Sequence, residues 1–443
     1  MTGEAAAVGV VAAPDAPLVV ESPAALPVGH RLKVLLYCGV LLLLLNLAAP
    51  YAGLIGIPVS FFLKNKLHLS AHQLAVFNFW AGAPLYASFV FGFLRDRWSP
   101  YAAGDRGHLL VFGALTTVIY GAIAFLNPTY AMLLAGLLVV TITVQMVAGA
   151  ANGLVSAIGQ QHVMAGQVST VFNIATVLPA LAAYLGGLLS DALEGASAGR
   201  AARILFLAGA GLMAGIAVMG ARGPRGLFGA ADPGRPAMVH FTRDIRRLAR
   251  TWAVYPPLIM LLLWDFGPAA GAALQYHLAD GLHASDAQVG AFYALFWGCS
   301  IPTLLLYGYL CQRVRLSRLL FWGTLIAIPQ MLPLLLMHSP TGALWAAAAM
   351  GLMGGVATGA YVDLAIRSCP ERLQGTMMML VVTVYWIAVR VGDLWGTDLY
   401  EHAGGYVTAV LATTAVYALI LPVLWLAPRR LTSTSDGEAL EAA

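Results

Sequence analysis

The chain has 443 residues, 60% of them hydrophobic and 10% charged, with a mean hydropathy of +0.79. So little polar surface excludes a soluble globule and leaves a bilayer as the solvent that suits the chain. The net charge of +4 comes from Lys and Arg scattered over short connections, a pattern of membrane topology and not of nucleic-acid binding.

Residues 1–30 are rich in Ala, Pro and Val, carry Glu4, Asp15 and Glu21 and lack a basic start. They read as a disordered cytoplasmic tail and not as a cleaved signal peptide. Apolar runs follow at about 34–62, 73–94, 108–126, 130–160, 164–193 and 201–221, each near the roughly 20 residues that cross a hydrocarbon core. They define a six-helix half over 31–221. The stretch 222–253 is polar; within it HFTRDIRRLART sets Arg243, Arg246, Arg247 and Arg250 among apolar residues, which predicts an amphipathic cytoplasmic linker helix. Runs at about 256–280, 287–312, 317–338, 342–366, 373–397 and 404–427 make a second six-helix half over 254–428, and 429–443 is a second polar, cytoplasmic tail. The expected class is therefore an all-α polytopic membrane protein with 12 transmembrane helices.

Nineteen Lys and Arg fall in the tails, the linker and the connections after spans two, eight and ten, whereas only Lys64, Lys66, Arg200 and Arg203 fall on the other side. Positively charged loops stay inside, so both termini are expected in the cytoplasm of a cell with this chain in its inner membrane. The halves also resemble each other. LHLSAHQL at 67–74 matches LHASDAQV at 282–289, and FGFLRDR at 91–97 matches YGYLCQR at 307–313. A duplicated unit is the simplest account, and in transporters such repeats flank a substrate site near the membrane midplane.

FGFLRDR, with Gly92, Asp96 and Arg97 and the further basic residue Arg106, resembles the loop signature of the major facilitator superfamily. The loop is lengthened to DRWSPYAAGDRGHLL, which is similar to that of the folate-biopterin transporter family. WDFGPAAGAALQY at 264–276, LYGYLCQRVRLSRLLFWGTL at 306–325 and CPERLQGTMMML at 369–380 are also similar to that family's patterns. Two positions depart from it: Asn152 stands where many members carry Asp, and Asp265 where a neutral polar residue is more usual. The resemblance implies a major facilitator fold of two six-helix pseudo-repeats and proton-coupled symport of a folate- or pterin-like anion.

The residues themselves point to a polar cavity. A charge at the centre of a spanning helix costs roughly 2.5 to 3.5 kcal/mol, so each one kept there faces protein or water. Asp265 lies nine residues into its span, about 14 Å deep at 1.5 Å per residue, and reads as a substrate contact or protonation site, against the alternative of a structural pair with a neighbouring helix. Arg390 and Asp393, three apart, share a helix face. They either neutralise each other or serve a solute, with Arg390 capturing a carboxylate. Asn46, Gln145 and Asn173 fall near mid-depth, and Tyr293, Trp297 and Trp386 supply flat surfaces. Asp363 and Arg367, four apart at a helix end, are gate candidates beside Gly92, Asp96, Arg97 and Arg106. Pro50, Gly53 and Pro58 in the first span and Pro256, Pro257 and Pro268 in the seventh either kink the helices that must move or serve close packing.

Cys38, Cys299, Cys311 and Cys369 have no paired spacing, so neither a disulfide framework nor a metal site is expected. The absence of HExxH, GxSxG and Walker patterns argues against an enzyme and against ATP-driven transport, and no cofactor is expected. The expectation is a monomeric secondary transporter that works by alternating access on a small polar or anionic solute, with protons and the lipid bilayer as its other partners. An exporter of amphipathic compounds and a non-transporting membrane sensor are the alternatives.

Overall fold

A computed structural model describes residues 26–51, 55, 59, 63, 71–126, 129–193, 198–224, 228 and 241–438. The sequence readings for most of the first tail, for Gly53, Pro58, Lys64 and Lys66, and for the start of LHLSAHQL lie outside the described residues, as does most of 222–240.

Among the described residues ten helices are long and apolar enough to cross a membrane and two shorter apolar ones complete the set, consistent with a twelve-helix architecture. In the first half α1 spans Val28–Ala48, α2 Val76–Arg97, α3 Gly104–Phe125, α4 Tyr130–Gln161, α5 Ala165–Leu193 and α6 Ala198–Arg222. A separate helix, Phe241–Arg250, follows in the linker. In the second half α7 spans Tyr255–Asp265 and resumes over Ala272–Tyr276, α8 spans Asp286–Leu310, α9 Leu316–Leu336, α10 Pro340–Ser368, α11 Gln374–His402 and α12 Gly405–Leu424. Helices are what apolar runs must form in lipid, because only there can each backbone N–H and C=O find a partner within its own segment.

Local chemistry marks the helix ends. Thr129 caps α4 and Ser339 caps α10, whose first residue is Pro340. Ser285 and Gln288 form a reciprocal capping box at the start of α8, satisfying donors that a helix start leaves bare. Gly404, at φ +97°, turns the chain from α11 into α12, a left-handed conformation open to glycine.

The longest buried runs lie in α4, from Val140 to Ser156 with few gaps, and in α10, from Ala357 to Ile366 with one. These two helices occupy the interior, and their Ala and Gly residues let neighbours approach closely. Large apolar side chains such as Trp345 and Trp425 face outward, 77% and 87% exposed, as suits contact with lipid.

The halves meet in a pseudo-symmetric way. Helix α2 packs on α11 and α5 on α8, while α4 meets α11 and α10 meets α5. The second pair of contacts lies at the face that carries the linker helix and the C-terminal segment, called here the terminal face.

Candidate functional site

Helix α7 breaks at the residues that matter most. After Asp265 the backbone leaves the helix at Phe266 (φ −82°, ψ 82°), passes through Pro268 and re-enters it after Gly271. The break fits against α11, because a Cβ at Gly396 would lie 2.8 Å from the carbonyl carbon of Pro268. Irregular backbone at membrane depth is tolerated where it is buried or lines a cavity, and discontinuous helices of this kind form solute sites.

Asp265 ends the first segment of α7. Its carboxylate has no hydrogen bond or ion pair among the described residues. The residue is partly buried, with some of its surface left open. Tyr385 of α11, 40% exposed, and Tyr417 of α12 lie within its electrostatic reach. Trp264 stacks on Tyr417 with centroids 4.8 Å apart and meets Tyr361 edge-on at 5.7 Å.

The aromatic lining crosses to the first half. Trp386 contacts Tyr385 edge-on at 5.3 Å and Tyr51, just past α1, at 5.5 Å. Tyr51 donates to Gln145 Oε1 at 3.5 Å, and Gln145 in turn donates to Ser88 of α2. Gln145 is fully buried, so it ties α1, α2 and α4 together behind the lining.

The other expected site residues divide. The amide nitrogens of Asn46 and Asn173 turn back on Leu42 O at 2.9 Å and Ser169 O at 2.8 Å in their own helices. Arg390 donates across the halves to the hydroxyl of Tyr86 at 3.1 Å. Asp393 accepts from the Ala272 amide at 3.4 Å, at the start of the resumed α7. No ion pair joins Arg390 to Asp393 among the described residues; the two turn to different helices. Tyr293 lies within electrostatic reach of Asp393, while Trp297 packs on Phe296 at 4.8 Å.

At the terminal face Gly92 lies against the backbone of Gly375, where a Cβ would fall 2.6 Å from the Gly375 carbonyl carbon. Asp96 accepts from the Gly375 amide at 3.1 Å and from the Thr376 amide and hydroxyl, each at 2.7 Å. Arg95 joins Asp96 at 2.6 Å and grips both oxygens of Asp105 at 2.6 and 2.5 Å. Arg97 pairs with Asp244 of the linker helix at 2.5 Å. Arg106 donates to Gly220 O and Ala221 O, capping the end of α6 within the first half. In the second half Arg367 pairs with Asp363 at 2.7 Å and with Asp436 at 3.0 Å, and Tyr307 donates to Asp363 at 2.6 Å.

Sequence reasoning missed Tyr385 and Tyr417 near Asp265, Tyr51 against Trp386, and Arg95, Asp105 and Asp436 at the terminal face. An Arg and an Asp ten residues apart on either side of a lengthened loop were a usable signal for Arg95–Asp105. Nothing local marked Asp436, whose partners are distant in the chain.

Residues 41–393 match the Major Facilitator Superfamily family model. The chain belongs to the major facilitator superfamily. Among solved structures, the proton:xylose symporter XylE aligns with a TM-score of 0.64 at 13% identity, covering 93% of this chain and 98% of that one. The transporter FucP in its outward conformation gives 0.63 at 17% identity, over 89% and 98%. The human organic anion transporter MFSD10 gives 0.57 at 15% identity, over 90% and 100%. A comparison with curated proteins finds no match. At these identities the likeness establishes the superfamily fold and leaves the solute to be argued from the residues around the break of α7.

Proposed function

We propose that this superfamily transporter carries a small polar solute by alternating access, with Asp265 as the group that binds it or exchanges a proton with it. One observation carries this reading: an unpartnered, partly buried carboxylate stands at the break of α7. Leaving a charge unpaired at membrane depth is costly, and a solute donor or a coupling proton offsets that cost during the cycle.

The lining suggests the chemistry of the solute. Tyr51, Tyr385 and Trp386 offer flat faces, Asp265 accepts hydrogen bonds from N–H or O–H groups, and Arg390 suits an acidic substituent. A folate- or pterin-like anion has all three features, and proton-driven symport follows if Asp265 carries the proton. The excess of Lys and Arg at the terminal face supports placing it, with both termini, in the cytoplasm of an inner membrane.

Uptake of radiolabelled folate, biopterin and xylose into proteoliposomes under an inward proton gradient tests this. Gradient-driven uptake of folate or biopterin, reduced about tenfold or more by Asp265→Asn and weakened by Arg390→Gln, is expected. Uptake of xylose alone would replace the pterin class with a sugar, and uptake insensitive to Asp265→Asn would remove that residue from the site.

A further inference from the structure

The repeat sequences differ at one informative place. Aligning Phe91–Arg97 with Tyr307–Arg313 sets Cys311 opposite Arg95 and Gln312 opposite Asp96. The second half has thus lost both charged groups with which the first half grips the start of α11. Gln312, just past the end of α8, instead bonds Gly308 O at 2.9 Å and is exposed.

The corresponding helix start is nevertheless held in the same manner. Helix α5 stands to α8 as α11 stands to α2, and its second and third residues, Gly166 and Gln167, match Gly375 and Thr376 of α11. The Gly166 and Gln167 amides donate to the two oxygens of Asp436, at 3.1 and 3.0 Å. Asp436 in turn pairs with Arg367, which Asp363 holds, just as Asp96 pairs with Arg95, which Asp105 holds. Two triads of carboxylate, guanidinium and helix-capping carboxylate therefore stand on either side of the pseudo-twofold axis. One is built wholly on α2 and α3 of the first half. The other borrows its capping carboxylate from the C-terminal segment.

That segment is tied down on both sides of Asp436. The Asp436 amide donates to Cys311 O at 2.9 Å, and the Gly437 amide to Val163 O, in the first half, at 2.8 Å. Arg367 also donates to the carbonyl and hydroxyl of Thr434, each at 3.1 Å. Thr432, Ser435 and Asp436 are each only 6% exposed. The segment thus spans from α12 of the second half to α5 of the first, across the junction that must part if the terminal face is to open.

We propose that the C-terminal segment around Asp436 is a latch that replaces the carboxylate lost at Gln312 and holds the terminal face closed. Charge-assisted hydrogen bonds to a helix start are among the stronger polar contacts, and buried ones resist screening by salt. The inference rests on the fold and not on the identity of the solute, and its test uses no solute.

Two native cysteines separate the steps. Cys311 lies directly under the segment, with Sγ 3.6 Å from Asp436, and is 1% exposed. Cys369 lies between the halves, 3.3 Å from Ser156 Oγ, and is 6% exposed. Labelling of each by a polar maleimide, read by peptide mass spectrometry on the purified full chain, reports undocking of the segment and parting of the halves respectively. Asp436→Ala should speed labelling at both sites by about tenfold or more, the loss expected of one buried charge-assisted contact. Adding Gln312→Asp to Asp436→Ala should slow Cys369 labelling again, which a merely unfolded variant would not do. Faster labelling of Cys311 alone overturns the latch, since the segment would then leave without opening the face. Unchanged labelling at both sites overturns it too, as does Cys369 labelling that Gln312→Asp fails to slow.

Discussion

Arg95 is 3% exposed and is satisfied by the two oxygens of Asp105 and one of Asp96. A buried ion pair gives little net stability over an apolar replacement, but removing one partner strands a charge. Asp105→Asn is therefore expected to destabilise the protein by about 3 kcal/mol, read as a fall in melting temperature in detergent. Asp244 is a useful contrast: its side chain is 40% exposed where it meets Arg97, so Asp244→Ala should cost under about 1 kcal/mol. In the C-terminal segment the Ser435 amide, bonded to Glu438, holds that exposed carboxyl below its usual range. At this scale Asp265 was legible because a carboxylate inside an apolar run stands out by composition alone. The partner of Asp393 was not: its spacing from Arg390 suggested a pair, whereas the structure places it against Ala272, on a helix far off in the chain. Spacing along one helix fixes a shared face and says nothing of what the neighbouring helix brings to it.

Helices α2 and α11 touch at glycine. A Cβ at Gly92 would lie 2.6 Å from the Gly375 carbonyl carbon and 2.8 Å from Met379 Cβ, closer than packed atoms approach, and the obstacle is largely backbone. Gly92→Ala must therefore push the two helices apart, at a cost of roughly 1 to 3 kcal/mol. Because Asp96 reaches the start of α11 from the same helix, the variant should also raise Cys369 labelling. The twelve spans were legible because hydrophobic length is a robust signal in a bilayer, and their ends fell near Gly, Pro and charged residues. The interruption of α7 was less so. Pro268 marked a kink, yet a break from Phe266 to Gly271 depends on glycines of α11 that accommodate it, Gly392 and Gly396, which no local pattern in α7 reveals.

Across the whole molecule the polar contacts between halves concentrate at the terminal face: Asp96 to Thr376, Gln160 to Ile366 O and Cys369 O, Ser169 to Gly359 O, and Asp436 to α5. A transporter closed there must open it once per cycle, so a covalent tie should stop turnover. Replacing Asp96 and Thr376 by a cysteine pair is expected to abolish uptake under oxidation and to restore part of it with dithiothreitol. Uptake unaffected by an oxidised pair would show that this face need not part. The duplication was visible in the sequence as matching segments, but the divergence of its second copy gained meaning only when the distant Asp436 was found in the vacant role. That arrangement has a practical side. Asp436 and Gly437 are seated by backbone bonds to Cys311 and Val163, so an affinity tag fused close behind this segment competes with the seating of the buried carboxylate. A tag at the N-terminus avoids this, and the same protein purified by its two ends should rest in different proportions of closed and open forms.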